Sequence, residues 1–142
     1  ESVIVSHRRT PEYHDEIVAF AKSRSPVNHP TAMYKKSSVL GAGNYTKYKT
    51  SEDYNLFVKL IISGSKFYNI QESLVNMRMG NNQAARRGGL KNAIFEAGVQ
   101  KEFYKMGFLN FYEFFKNTSI GFLIRILPNS LMKIVFKIIR KI

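Results

Sequence analysis

Apolar residues along the chain fall into two kinds of pattern. At helical spacing, Ile17, Phe20 and Ala21 mark one face of the stretch "TPEYHDEIVAFAKSR". Thr10 suits its N-cap, Pro11 its first helical position and Glu12 its positive end. Pro26 ends it. The stretch "TSEDYNLFVKLIISG" (50–64) presents a broader apolar surface: Leu56, Val58, Leu60, Ile61 and Ile62. Thr50 or Ser51 caps it and Gly64 stops it. A short helical turn is expected over residues 36–40. Three further helical stretches follow residue 89: "LKNAIFEAGVQKEFYKMG", stopped by Gly107; "NFYEFFKNTSIGFLIRIL", broken by Pro128; and "NSLMKIVFKIIRKI", capped by Asn129 or Ser130. The second pattern is the short β-branched or alternating run. Residues 2–6, 31–34, 66–70 and 73–79 read as strands.

Between these lie two polar, glycine-bearing stretches. "GAGNY" (41–45) is a loop in which Gly41 and Gly43 are free to take positive φ. "GNNQAARRGG" (80–89) has little apolar content and is expected to be an exposed loop. The chain therefore reads as α/β, with a short mixed sheet flanked by helices, followed by a helical, amphipathic tail. The expected division is 1–92 and 93–142.

Composition adds charge. Lys and Arg number 22 against 10 Asp and Glu, a formal net charge of +12 over 142 residues. Such a balance points to anionic partners. There is no cysteine, which removes disulfides and thiolate metal sites. No apolar run approaches the ~18 residues of a membrane span. The opening "ESVIVSHRR" has no Met and no charged-then-apolar leader, and reads as a piece of a longer protein.

Against this basic background, the only two aspartates are Asp15 and Asp53, and Asp53 follows Glu52 at the start of an apolar helix. One reading is helix-end compensation, since acids in a first turn contribute about 0.3–1 kcal/mol; Thr50 and Asp53 also stand at capping-box spacing. The other is a catalytic base that accepts a proton from an incoming hydroxyl. His29, preceded by Asn28 and followed by a proline, is either a hydrogen-bonded structural residue or a group in a cleft. His7 and His14 do not make a metal site. Gly41-Ala42-Gly43 fails the dinucleotide pattern because Thr46 stands where the third glycine belongs. Arg78, Arg86, Arg87 and Lys91 surround the polar loop, either as a solvated basic surface or as a phosphate clamp. In the tail, Lys133, Lys137 and Arg140 share one helical face; Leu131, Ile134, Val135, Ile138 and Ile142 share the other. That is a basic amphipathic helix, packed on a core or lying on a membrane surface.

The order "NHPTAMYKKSSVLGAGNY", "SEDYNLFVKLIISGSKFYNIQESLVNMRMG", "RRGG" resembles the C-terminal half of bacterial family 2 glycosyltransferases of capsule and lipopolysaccharide assembly. The resemblance covers roughly residues 5–142 and is tightest over 24–89. It implies a GT-A fold and inverting transfer from a nucleotide-sugar donor to a saccharide or lipid-linked acceptor hydroxyl. It makes Asp53 the base, with Glu52 beside it. It places His29 and Asn28 by the acceptor cleft, and Arg78, with Arg86 and Arg87, near the donor phosphates. Asn44 departs from the family where a second glycine is common, and Phe57 where tryptophan is common. The family's Asp-x-Asp motif has no counterpart here. The Mg²⁺ or Mn²⁺ expected for the whole enzyme would be bound mainly outside this chain, which carries no metal ligands of its own. The implied location is cytoplasmic, peripheral to the inner face of the cell membrane. Residues 130–142 would meet anionic lipid, and no nucleic acid is expected as a partner. The contrasting reading, without chemistry, is a basic module for nucleic acid or an acidic membrane surface.

Overall fold

A computed structural model describes residues 4, 7–46, 51–78, 88–128, 131 and 135. The chain divides into two compact units, Glu1–Asn76 and Met77–Ile142.

The first unit is built around three helices: α1 (His14–Ala21), α2 (Lys36–Gly41) and α3 (Glu52–Ile62). A 3-10 turn, His29–Thr31, precedes α2. Helix α3 is the centre of the unit, with Tyr54, Asn55, Leu56, Phe57, Val58 and Leu60 buried. Burying such consecutive positions takes neighbours on several sides of the helix. Ile17 and Ala21 of α1 join this core, and the Tyr54 hydroxyl donates to the Ala21 carbonyl at 2.5 Å. Phe20 stays half-exposed and receives the Arg24 guanidinium over its ring, 5.2 Å from the centroid. Gly64, at φ 81°, closes α3 in the left-handed conformation that glycine adopts without penalty. Ser51 occupies the N-cap position at φ 64° and makes no side-chain cap bond, and Thr50 lies outside the described residues.

The expected helix at Thr10–Pro11 begins later, at His14. The carbonyls just before it are engaged elsewhere. Asn69 donates from its backbone N–H to the Glu12 carbonyl (3.0 Å) and from Nδ2 to the carbonyls of Pro11 (2.7 Å) and Pro26 (3.1 Å). Gln71 Nε2 adds a bond to the Thr10 carbonyl.

The expected sheet is not found: no strand forms among the described residues. A strand is completed by a neighbour's ladder of N–H and C=O groups. Residues 66–70 run without regular structure and meet the approach to α1 through the side-chain amide of Asn69 and one backbone bond. Thr31 closes a turn on the Asn28 carbonyl with both its N–H (2.9 Å) and its hydroxyl (2.8 Å), so residues 31–34 do not form a strand. Residues 73–78 are exposed along their length, with Leu74 and Met77 unburied. The 2–6 expectation falls, apart from an exposed Ile4, outside the described residues. The chain is therefore helical where described, in place of the mixed sheet expected of a GT-A fold.

The second unit is a pair of packed helices, α4 (Leu90–Lys105) and α5 (Phe111–Ile126). Gly89 starts α4 at φ 92° and Gly107 follows its end at φ 74°. Asn110 then opens α5 with a complete capping box: its side chain accepts from the Glu113 N–H (2.8 Å), and the Glu113 carboxylate accepts from the Asn110 N–H (2.9 Å). Across the pair, Asn117 donates to the buried Gln100 (3.1 Å), Glu96 pairs with Arg125 (3.2 Å), and the Tyr104 and Phe114 rings stack at 5.4 Å. A Cβ added at Gly121 would meet Arg125 Nη1 at 3.3 Å, so this glycine leaves room for the ion pair. No helix among the described residues is long and apolar enough to cross a membrane.

Candidate functional site

Glu52 and Asp53 occupy the first turn of α3, both half-buried. The apolar positions that follow fix the helix in the core, so the two carboxylates are presented from a rigid element. One turn on, Phe57 is fully buried and the Tyr34 ring stacks on it, centroids 6.2 Å apart and 26° between planes. Phe67 meets the same Phe57 edge-on at 6.4 Å. Phe57 thus carries Tyr34 to the beginning of α3.

Tyr34 belongs to a row of polar rings. The Tyr45 hydroxyl donates to the Tyr34 hydroxyl at 3.4 Å. His29 Nε2 and the Tyr45 hydroxyl share a hydrogen bond at 3.3 Å, and their rings lie 6.1 Å apart. Burial pushes the Tyr34 hydroxyl well above the ordinary tyrosine value; the Tyr45 hydrogen bond, the Tyr45 charge and the Asp53 carboxylate all push it the same way. Tyr34 therefore keeps its proton and remains a hydrogen-bond donor.

Three loop features hold the row. The turn at His29–Thr31 presents His29 at the surface, braced by the Asn28 carbonyl. The segment between this turn and α2 carries Tyr34. Asn44 takes a left-handed backbone, φ 60°, and its side-chain oxygen accepts from the Tyr45 N–H at 2.8 Å, turning the chain so that Tyr45 faces Tyr34. The Asn44 carbonyl also accepts from Lys59 Nζ of α3 at 3.3 Å. Thr46, which spoils the dinucleotide pattern, donates to the buried Asn55 side chain of α3 at 3.2 Å.

Of the residues expected from sequence, His29 bonds to Tyr45 of the Tyr34–Tyr45 pair, and Asp53 lies one helical turn before the Phe57 on which Tyr34 stacks. Asn28 is half-buried beside His29, and Glu52 precedes Asp53 on α3. Arg78 is exposed and belongs to the second unit; Arg86 and Arg87 lie outside the described residues. Tyr34 and Tyr45 were not expected as site residues. The only sequence signal for them is two tyrosines within one polar, turn-rich stretch, 31–46. Among the described residues no three His, Asp or Glu side chains gather into a metal-binding group.

No family model matches the chain, and no solved structure does. Curated proteins do. The chain is 36% identical over 123 residues to a UDP-Gal:alpha-D-GlcNAc-diphosphoundecaprenol beta-1,3-galactosyltransferase of Escherichia coli, covering 87% of this chain and 45% of that protein. It is 35% identical over 130 residues to an uncharacterized glycosyltransferase of Haemophilus influenzae, covering 92% of this chain and 48% of that protein. It is 26% identical over 137 residues to the amylovoran biosynthesis glycosyltransferase AmsE of Erwinia amylovora, covering 94% and 50%. The chain spans about half the length of the curated relatives it matches. Three proteins named as glycosyltransferases align with nearly all of the chain, and the chain is similar to about half of each of them.

Proposed function

We propose that this chain supplies the acceptor side and the base of a glycosyltransferase that moves a sugar from a nucleotide-sugar donor to a saccharide or lipid-linked acceptor, with inversion. The observation that carries the reading is the place of Asp53. It is a half-buried carboxylate on the first turn of a core helix, one turn before the Phe57 that stacks on Tyr34 of the polar row, in a chain whose relatives are named glycosyltransferases. Asp53 takes the proton of the acceptor hydroxyl as that oxygen forms a bond to the anomeric carbon. The bond from that carbon to the nucleoside diphosphate breaks on the opposite face, and the diphosphate leaves with the bonding electrons. Configuration is inverted. Glu52 serves chiefly the positive end of α3. Arg78, Arg86 and Arg87 are candidates for contact with the departing phosphates.

The acceptor of the Escherichia coli relative is a diphosphoundecaprenol-linked sugar, which favours a lipid-linked acceptor here and a role in cell-surface polysaccharide assembly. Work on such an acceptor suits an enzyme held peripherally at the cytoplasmic membrane face, with residues 130–142 against anionic lipid. That segment lies, but for residues 131 and 135, outside the described residues.

The test is Asp53→Asn in the full-length enzyme, assayed with nucleotide-sugar and acceptor. Turnover is expected to fall about 10²–10⁴-fold, the scale of a positioned base, with the fold and donor binding kept. Glu52→Gln should cost much less. Near-normal turnover in Asp53→Asn removes the base assignment.

A further inference from the structure

The polar ring row held against α3 has a use that the base alone does not supply. A base meets only the hydroxyl that reacts; the remaining hydroxyls and the ring of an acceptor sugar need other partners. His29 is exposed, Tyr45 is 41% exposed and Tyr34 is half-buried, so the row borders solvent. Its internal hydrogen bonds are 3.4 Å between the two hydroxyls and 3.3 Å between imidazole and hydroxyl, longer than the usual ~2.7–2.8 Å and ~2.9–3.0 Å of such pairs. Long bonds between exposed groups exchange readily for bonds to a ligand. The row consists of phenols and an imidazole and contains no guanidinium fork, a chemistry that matches a neutral polyol better than a phosphate. Phe57 and Asn44 fix it from behind, so its geometry exists before any ligand arrives.

We propose that His29, Tyr45 and Tyr34 form a saccharide subsite in which a sugar ring of the acceptor lies against Tyr45, exchanges hydrogen bonds with the Tyr45 and His29 side chains, and turns one hydroxyl toward Asp53. The proposal rests on the reading of the chain as the acceptor side of a glycosyltransferase. Tyr34 is the positioning residue: through its hydroxyl and its stack on Phe57 it sets where the Tyr45 ring stands relative to α3.

Two measurements on the full-length protein test it. The first needs no turnover: saturation-transfer NMR with a panel of methyl glycosides, among them methyl α-N-acetylglucosaminide. At least one should receive saturation from the wild type, and Tyr45→Ala should abolish it. The second is kinetic. Tyr45→Phe keeps the ring and removes the hydroxyl; it should raise the acceptor KM about 3–10-fold, the loss of one neutral hydrogen bond. The donor KM should rise by less than the acceptor KM. Tyr34→Phe, which keeps the stack on Phe57, should change the acceptor KM by less than Tyr45→Phe. Unchanged acceptor KM in Tyr45→Phe, or an equal rise in donor and acceptor KM, overturns the subsite. A wild type that transfers no sugar but loses glycoside saturation on Tyr45→Ala keeps the subsite and removes the transferase reading instead.

Discussion

Asn44 holds a left-handed backbone at φ 60°, where an ordinary side chain costs about 1–2 kcal/mol. It offsets this with its side-chain bond to the Tyr45 N–H. Asn44→Ala loses both that bond and the tolerance of the conformation, and should lower stability by about 1–2 kcal/mol in urea unfolding. Asn44→Gly gains conformational ease and loses the bond, so its net effect should be small. A second expectation concerns pH. Folded Tyr34 holds its proton above the ordinary value of 10.0. Below pH 10 folded and unfolded chains are both protonated there and the full contribution is present. Above it the unfolded chain releases its proton first, so stability falls as pH rises toward the folded value. The exposed Tyr68, bonded to Glu12, shifts in the same direction. The informative comparison is therefore wild type against Tyr34→Phe, whose urea midpoint should decline less steeply from pH 9 to 11. At this scale the sequence shows Glu52-Asp53 at a helix start, because capping and dipole preferences are local. It does not show the tyrosine row, which joins a turn, an irregular segment and a loop that share no period.

Helix ends are the most legible elements, for a related reason. Gly64, Gly107 and Pro128 each stop a helix through a property of one residue: positive φ for the glycines, and for Pro128 the extended backbone it imposes on Leu127 (ψ 145°). The capping box at Asn110 also acts within four residues. Asn110→Ala should lower stability by about 1 kcal/mol, read as a lower melting temperature, and Glu113→Gln, which keeps a capping-box acceptor, should cost less. Strands are legible only as far as their partners are. Residues 66–70 carry a strand-like alternation, yet their bonding is decided by Asn69 reaching the carbonyls of Pro11 and Pro26, 58 and 43 residues away. No local pattern encodes that choice. The late start of α1 has the same origin, since the carbonyls of Pro11 and Glu12 are already taken by Asn69.

At the scale of the whole molecule, net charge and family likeness were both readable, since each sums over many residues and neither depends on a single contact. The charge of +12 carries the membrane proposal. Each basic residue near an anionic surface contributes about 1 kcal/mol. The full chain should therefore co-sediment with vesicles containing anionic lipid, bind less at high salt, and lose binding when Lys133, Lys137 and Arg140 become glutamate. Indifference to anionic vesicles would remove the membrane reading for residues 130–142.

The α4–α5 pair has a consequence in time. Its contacts close over short stretches of chain: Gln100 meets Asn117 only 17 residues on, and the turn between the helices is locked by Gly107 and the Asn110 box. The first unit is tied by bonds spanning 43 to 61 residues, from Asn69 and Gln71 back to Pro26, Pro11 and Thr10. Each doubling of a loop adds about 0.6 kcal/mol to its closure, and structures rich in local contacts fold faster. On refolding from denaturant, pulsed hydrogen exchange should protect the Val99 and Phe103 amides before that of Asn69. The helical pair is then the first ordered part among the described residues, and the long ties of Asn69 and Gln71 are among the last to form.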